Sequence, residues 1–265
     1  MIRLFTCVLA LVASATHAET LRLAVTTSFH NAGLAEILLP AIAEDTAIEV
    51  QLLVVGTGQA LRLGEAGDVD AILVHARTSE EAFIAAGHGT HRREIMYNDF
   101  VLIGPRADPA AIALAPTAGD ALARIARTES IFVSRGDDSG THQMERALWE
   151  RAQSAPGGDW YRSVGAGMGA ALNTAAAMDA YVLSDRASWL NFGNKAGLEL
   201  LFSGDPVLFN QYAYIPVNPA RHPHVKHELA QQLEQWLTGA DAAQLINGYT
   251  INGTPLFTFN AQTRD

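Results

Sequence analysis

The sequence predicts an α/β protein that is divided into two lobes with a hinged cleft between them. Short apolar runs alternate with segments of helical periodicity, which is the pattern of a parallel sheet covered on both faces by helices. An Ala/Pro-rich stretch at residues 107–118 marks a crossing into a second unit, and the apolar run at residues 211–217 could cross back. Two crossings between two α/β units predict a hinge, and a ligand is expected in the cleft beside it.

The predicted elements follow this alternation along the chain. Strands are expected at residues 21–25, 49–55, 70–75, 94–104, 131–133, 180–184, 198–202 and 211–217. Helices are expected at residues 34–39, 59–65, 79–83, 121–127, 142–149, 168–178, 225–236 and 241–246, and a further helix begins at residue 185. These elements predict lobe I over residues 19–104 and 211–265, and lobe II over residues 105–210.

Composition and charge narrow the classes of function. Hydrophobic residues make up 49% of the 265 residues, which is ample for a buried core. The formal net charge is −10 and no basic block or stripe occurs, so we expect no nucleic-acid partner. An acidic chain can still bind an anion, because salt screens overall charge over about 8–10 Å and local groups decide the site.

Residues 1–18 have the pattern of a secretory signal peptide. Arg3 forms a charged start, residues 4–13 are apolar, and Thr16-His17-Ala18 is a small-residue cleavage site. The pattern predicts cleavage after Ala18 and a periplasmic mature protein. Cys7 is the one cysteine and lies inside this segment, so the mature chain would hold no disulfide, thiol nucleophile or thiolate metal site.

The most informative stretch is residues 134–141, which read Ser-Arg-Gly-Asp-Asp-Ser-Gly-Thr. It connects a predicted strand to a predicted helix, whose first N–H groups lack backbone partners and carry partial positive charge. Hydroxyl groups and the fixed cation of Arg135 add further donors around the same point. The stretch therefore predicts a binding site for an oxyanion.

Two further loops have the same strand–hydroxyl–helix pattern. They are Thr26-Thr27-Ser28 and Gly56-Thr57-Gly58, both at predicted strand ends in lobe I. Because the third loop belongs to lobe II, the three could enclose a dehydrated anion across the cleft. The candidate ligand-binding residues are Thr26, Thr27, Ser28, Thr57, Ser134, Arg135, Ser139 and Thr141.

Motifs along almost the whole mature chain are similar to those of one family. The matching segments are residues 26–28, 56–60, 70–76, 96–100, 104–105, 134–142, 160–161, 167–169 and 217–219. In these segments and in their order, the chain resembles the TupA-type tungstate-binding proteins of bacterial ABC uptake systems. Relatives commonly have a small hydroxyl residue where this chain has Ala32, which puts one polar contact in doubt.

The resemblance implies a two-lobe periplasmic binding protein, type II-like, whose hinged cleft lies between two parallel or mixed sheets. It implies a tungstate ligand, or a closely similar oxyanion such as molybdate, and delivery to the membrane permease of an ABC transporter. By match to the motifs, Arg135 and Thr141 bind the anion from lobe II, with the hydroxyls of residues 26–28 and Thr57 on lobe I. We expect no cofactor, no catalysis and a monomer.

Two other functions stay open from the residues alone. A periplasmic phosphate- or sulfate-binding protein is one, since Asp137 or Asp138 could accept the proton that phosphate keeps at neutral pH. A secreted serine hydrolase is the other, with Ser139 or Ser134 beside His142, although Gly-x-Ser-x-Gly is absent. The histidines at 222, 224 and 227 are interpreted as a solvated turn and not as a metal site.

Overall fold

The structure is a computed structural model that describes residues 19–262. The predicted signal peptide at residues 1–18 lies outside the described residues. Within 19–262, none of the helices combines the length and the apolar character that crossing a membrane requires.

The described chain alternates strands and helices as predicted. The strands are β1 Glu19–Thr26, β2 Ile48–Val55, β3 Ala71–Val74, β4 Arg93–Pro105, β5 Phe132–Ser134, β6 Tyr161–Ser163, β7 Tyr181–Asp185, β8 Leu198–Phe202, β9 Phe209–Pro216, β10 Thr250–Ile251, β11 Thr254–Pro255 and β12 Thr258–Phe259. The helices are α1 Thr27–Asn31, α2 Ala35–Thr46, α3 Thr57–Ala66, α4 Arg77–Ala85, α5 Ala118–Thr128, α6 Gly140–Arg151, α7 Met168–Met178, α8 Arg186–Asn191, α9 His227–Leu237 and α10 Ala240–Gly248. Single 3₁₀ turns lie at Ile112–Leu114, Gly158–Trp160 and Pro206–Leu208.

The strands form two similar half-sheets. In the first, the order is β2-β1-β3-β9-β4, where β1 runs parallel to β2 and β3 and β9 runs antiparallel to β3 and β4. In the second, β5 runs parallel to β6 and β7, and β4 runs antiparallel to β7 and β8. Each half-sheet thus has three parallel strands followed by antiparallel ones, so the mixed sheets that were predicted are present.

Strand β4 belongs to both half-sheets. Its residues Arg93–Asp99 pair with β9, and its residues Phe100–Pro105 pair with β7 or β8. The chain returns to the first half-sheet through the 3₁₀ turn at Pro206–Leu208 and β9. One continuous strand and one return segment therefore join the two halves, as a hinge requires.

Each half-sheet is covered by apolar packing on both faces. On β3, Ala71 and Leu73 pack into one buried cluster while Ile72 and Val74 pack into another. On β4, Leu102 belongs to a third cluster and Val101 and Ile103 to a fourth. This alternation follows from the two-residue period of a strand, and burial on both faces explains the near-continuous apolar runs in the sequence.

The three predicted hydroxyl loops lie where parallel strands end and helices begin. Thr26 ends β1 and its hydroxyl accepts a hydrogen bond from the backbone N–H of Phe29, 3.2 Å away, which caps α1. Ser139 caps α6 in the same way by accepting from the N–H of His142 at 3.3 Å. The first loop is shorter than predicted, because Thr27 and Ser28 already form the first turn of α1.

Candidate functional site

A small cavity between the two half-sheets gathers seven of the eight candidate residues. It is narrow, since the volume that the centre of a water-sized sphere can reach inside it is about 10 Å³. It is lined by Thr26, Thr27, Ser28, Gly56, Thr57, His75, Arg135, Ser139, Gly140 and Thr141. Residues up to His75 belong to the first half-sheet and residues from Arg135 onward to the second, so the cavity has one wall from each.

Most of the wall residues lie at the starts of helices α1, α3 and α6. Thr57 is the first residue of α3, after Gly56 at its N-cap, and Gly140 is the first residue of α6. The first N–H groups of a helix have no intrahelical acceptor and point along a dipole that favours negative charge. The cavity therefore presents backbone donors together with side-chain donors.

Two threonine hydroxyls in the cavity lack partners. Thr57 and Thr141 are each 2% exposed, and neither Oγ1 has a hydrogen-bond partner within residues 19–262. An unpartnered buried hydroxyl costs about 1–3 kcal/mol, so native proteins rarely keep one without a reason. Two of them, one on each wall, are accounted for if a ligand supplies the acceptors.

Arg135 combines its place in the cavity wall with an ion pair to Asp137. The Arg135 side chain is 7% exposed, and its Nη2 and Nε donate to one Asp137 oxygen at 2.5 and 3.2 Å. The other oxygen of Asp137 accepts from the backbone N–H of Ser139 at 3.2 Å. Burial raises the pKa of Asp137, but the bonds from Ser139 and Arg135 outweigh it and leave that pKa below its usual value.

Neither aspartate of the third loop lines the cavity. Asp137 is committed to Arg135 and Ser139, and Asp138 is exposed in a left-handed conformation with φ of 57°. The backbone N–H of Asp138 donates to Nδ1 of His142 at 3.0 Å. The Asp137 carboxylate therefore orders the loop, Asp138 turns outward, and Ser139 is the residue that caps α6.

Ser134 is the candidate residue that the structure places outside the cavity wall. It ends β5, is completely buried, and its Oγ has no hydrogen-bond partner within the described chain. Ala32 also lies outside the wall; it is buried, and its carbonyl oxygen accepts from the Tyr249 hydroxyl at 2.7 Å. Alanine at position 32, where relatives commonly have a small hydroxyl residue, therefore takes no polar side chain away from the cavity lining.

His75 lines the cavity but was not among the candidates. It follows β3, and its Nε2 lies 2.9 Å from the Ser28 hydroxyl. Its Nδ1 is shielded from solvent and has no partner within the described residues. Burial lowers the pKa of His75 to about 4, and the nearby charge of Arg135 contributes, so the imidazole is neutral at pH 7.

His75 also marks a close approach of the two walls. A Cβ added to Gly140 would lie 2.6 Å from Cε1 of His75, which is nearer than real Cβ contacts come. Glycine at this first position of α6 therefore lets the second half-sheet approach the imidazole of the first. The sequence signal for this contact is weak, because it depends on two residues 65 positions apart.

The serine hydrolase pairing is not formed by the predicted residues. Ser139 and His142 meet through the backbone N–H of His142, while the His142 imidazole accepts from the N–H of Asp138. Ser28 and His75 do form a serine–histidine contact, yet no carboxylate among residues 19–262 accepts from Nδ1 of His75 to orient the ring. Within the described residues, the constellation of a serine hydrolase is thus incomplete.

Comparisons with known proteins agree with this geometry. A model of the PBP superfamily domain matches residues 12–241. The tungstate-binding protein TupA of Peptoclostridium acidaminophilum is 44% identical over 243 residues, which are 90% of this chain and 85% of that protein. A putative ABC transporter anion-binding protein of Haloferax volcanii is 43% identical over 92% of this chain and 72% of its own.

Solved structures give the same result. A structure described as the tungstate-binding protein TupA from Desulfovibrio alaskensis G20 superposes with a TM-score of 0.84 at 43% identity, covering 92% of this chain and 100% of that one. A structure described as the tungstate ABC transporter from Geobacter sulfurreducens superposes with a TM-score of 0.81 at 46% identity, over 87% and 99% of the two chains. With its two half-sheets, its cavity between them and these relatives, the chain belongs to the TupA family of two-lobe periplasmic binding proteins, within the PBP superfamily.

Proposed function

We propose that this protein captures tungstate, or a closely similar oxyanion such as molybdate, in the periplasm and delivers it to the membrane permease of an ABC transporter. The observation that carries the proposal is the cavity in which Arg135 and the unpartnered hydroxyls of Thr57 and Thr141 converge from two walls. The tungstate-binding names of the relatives support the choice of ion.

The proposed ligand contacts are the eight candidate residues of the three loops. The hydroxyls of Thr26, Thr27, Ser28 and Thr57 would act from one wall, and Arg135, Ser139 and Thr141 from the other. Ser134, which does not line the cavity, would act only if binding rearranges the end of β5. Donors from helix starts and one guanidinium suit a dianion with four oxygens.

The absence of a carboxylate in the described cavity lining favours an unprotonated ion. Phosphate keeps a proton at neutral pH and needs an acceptor, whereas tungstate, molybdate and sulfate do not. Asp137 could be that acceptor, but its two oxygens are engaged with Arg135 and with the N–H of Ser139. Phosphate is therefore a weaker candidate ligand than tungstate. Sulfate is unprotonated like tungstate, so a binding experiment has to distinguish these two ions.

We propose lobe I as residues 19–104 with 211–265 and lobe II as residues 105–210. The packing of the apolar side chains supports this division. The two clusters on the faces of β3 take most of their side chains from before residue 97 and after residue 211. The two clusters that Leu102 and its neighbours on β4 join lie between residues 100 and 208. The lobes would close on the anion about β4 and β9. The protein would act as a monomer, without cofactor or catalysis.

Export would follow cleavage after Ala18. Mass spectrometry of protein recovered from the periplasm should then show a chain that begins at Glu19. A chain that keeps Met1 and stays in the cytoplasm would contradict this part of the proposal.

A thermal-shift panel followed by titration calorimetry tests the ligand. Tungstate, molybdate, sulfate and phosphate are each added to the same protein at equal concentrations. An ion at about 100 times its Kd adds roughly 2.7 kcal/mol to the free energy of unfolding, which raises Tm by several degrees. We expect the largest shift with tungstate or molybdate; a shift with phosphate alone, or with none of the four, would refute the proposal.

A further inference from the structure

His75 joins the lining of the cavity to the hydroxyl network of the first wall. We propose that His75 is a further ligand-binding residue, whose neutral imidazole donates its Nδ1 proton to the bound oxyanion while Nε2 accepts the hydroxyl proton of Ser28. This inference rests on the proposed function, since it concerns how the same anion is held.

The geometry places Nδ1 at the boundary between the two walls of the cavity. Nε2 is 2.9 Å from Oγ of Ser28, whereas Nδ1 has no partner within residues 19–262 and is shielded from solvent. A Cβ added to Gly140 would lie 2.9 Å from Nδ1. The unpartnered nitrogen therefore lies beside the start of α6, where the helix presents its first N–H groups.

The proton count selects one tautomer. A neutral imidazole has one N–H donor and one acceptor nitrogen. A proton on Nε2 would leave the bare lone pair of Nδ1 in the cavity, where it would repel an oxyanion. A proton on Nδ1 gives the anion a donor and lets Nε2 accept the single hydroxyl proton of Ser28. Ser28 then acts as a positioning residue for His75 and no longer donates to the anion, so His75 takes its place among the proposed ligand contacts.

The surroundings of His75 favour a neutral ring. Burial lowers the pKa of His75 to about 4 and outweighs the His75 backbone and the Asn210 side chain, which raise that pKa; the positive charge of Arg135 acts in the same direction as burial. The ring of Tyr212 lies 4.8 Å from that of His75, centroid to centroid, and burial keeps its phenol protonated by raising its pKa.

Two amide substitutions separate the roles of the two ring nitrogens. In His75→Asn the side-chain amide reaches about as far as Nδ1, whereas in His75→Gln it reaches about as far as Nε2. Calorimetry with tungstate is run on both, with His30→Asn on the exposed face of α1 as the control. The proposal predicts that His75→Asn and the control bind within about threefold of the unaltered protein, and that His75→Gln loses about 10- to 100-fold in affinity.

Each other outcome is decisive. The reverse order, with His75→Gln retained and His75→Asn weakened, would show that His75 acts only through Ser28. Equal affinity in all variants, or equal losses accompanied by lower ligand-free melting temperatures, would also overturn the proposal. An unaltered protein that fails to bind tungstate would instead refute the proposed function itself.

Nuclear magnetic resonance gives a second test on the unaltered protein with tungstate. Long-range ¹H–¹⁵N correlations of the imidazoles distinguish the two tautomers and the charged form, and the His75 signal is the one absent from His75→Asn. We expect the Nδ1–H tautomer from pH 6.5 to 8. An Nε2–H tautomer or an imidazolium in that range would overturn the proposal.

Discussion

The guanidinium of Arg135 donates two hydrogen bonds to a single carboxylate oxygen of Asp137, at 2.5 and 3.2 Å. These bonds use two of the five guanidinium N–H groups, so three are left for other acceptors. Arg135 also lines the cavity, whereas Asp137 does not. The aspartate thus fixes the plane of the guanidinium and leaves its other edge to a ligand.

The first prediction concerns the charge and shape of Arg135. Arg135→Lys keeps the charge but loses the planar fork, so tungstate binding should weaken without being abolished. Arg135→Glu places a carboxylate against a dianion and should abolish binding. Calorimetry gives both affinities, and ligand-free melting curves show whether the fold is kept.

A competing account makes Arg135 only a structural partner of Asp137. Under that account Arg135→Lys would bind as the unaltered protein does, and Arg135→Glu would loosen the loop and lower the ligand-free Tm. If the Arg135→Glu variant bound tungstate with the affinity of the unaltered protein, Arg135 would not be a ligand contact.

The second prediction separates stability from binding at the two unpartnered hydroxyls. Thr57→Val and Thr141→Val keep the branched shape but remove a buried donor that has no partner in the described part of the chain. The free energy of unfolding without ligand should stay equal or rise by about 1 kcal/mol, while tungstate affinity falls about tenfold. Urea unfolding and calorimetry measure the two effects.

Thr128→Val is the matched control for these variants. Thr128 lies at the end of α5, away from the cavity, and its hydroxyl donates to the carbonyl of Arg124 at 2.9 Å. Its loss should leave tungstate affinity unchanged. Lower stability together with unchanged affinity in both cavity variants would mean that these hydroxyls serve the fold and not the ligand.

The third prediction concerns closure at Gly140. Gly140→Ala introduces a Cβ that would meet His75 at 2.6 Å, so the two walls should no longer approach as closely. Small-angle scattering should show that tungstate compacts the unaltered protein and compacts this variant less, with weaker binding. Gly169→Ala in α7 is the control, since its Cβ would have no neighbour within 4 Å. Equal compaction in all three proteins would argue that the cavity is rigid and preformed.

The fourth prediction is a pH dependence at Glu234, far from the anion. Burial raises the pKa of Glu234, but its bonds to His91 at 2.7 Å and Arg93 at 3.1 Å outweigh this and lower that pKa below 4.5. A carboxylate with a lowered folded-state pKa stabilises the fold above its unfolded pKa and loses that contribution as pH falls through the folded value.

Urea unfolding of the unaltered protein and Glu234→Gln should therefore differ by a constant amount above about pH 5, if the unfolded pKa is ordinary. The difference should shrink as the pH falls below about 4.5. Glu81→Gln, in an exposed pair with Arg77, should differ little from the unaltered protein at any pH. If the difference in the free energy of unfolding between the unaltered protein and Glu234→Gln stayed the same down to pH 3.5, a lowered pKa of Glu234 would be contradicted.

Much of the fold could be predicted because local signals and tertiary structure agree. Apolar runs followed by hydroxyl residues correctly located the ends of β1, β2 and β5, and the helices α3 and α6 that follow β2 and β5. Short elements were missed: α1 has five residues and β6 has three, which is too few for a period to appear.

The site could be predicted only where its residues lie close together in the sequence, within one strand–loop–helix segment. Within each half-sheet the candidate residues meet because the ends of parallel strands share one edge, and the two edges face each other across the cavity. His75 was missed because a lone histidine after an apolar strand has no distinguishing pattern. The hydrogen bond from Asn210 to Asn98, 2.8 Å long, was equally invisible, since it depends on the antiparallel register of β9 and β4.

The central claim is that one oxyanion is held between the two walls, and tungsten itself allows a direct test. Crystals grown with tungstate would be measured at the tungsten absorption edge, where the ion gives a strong anomalous signal. The account predicts one dominant peak in the cavity, within hydrogen-bonding distance of the Arg135 guanidinium and of the hydroxyls of Thr57 and Thr141. A dominant peak elsewhere on the protein, or a cavity without tungsten at saturating tungstate, would contradict it.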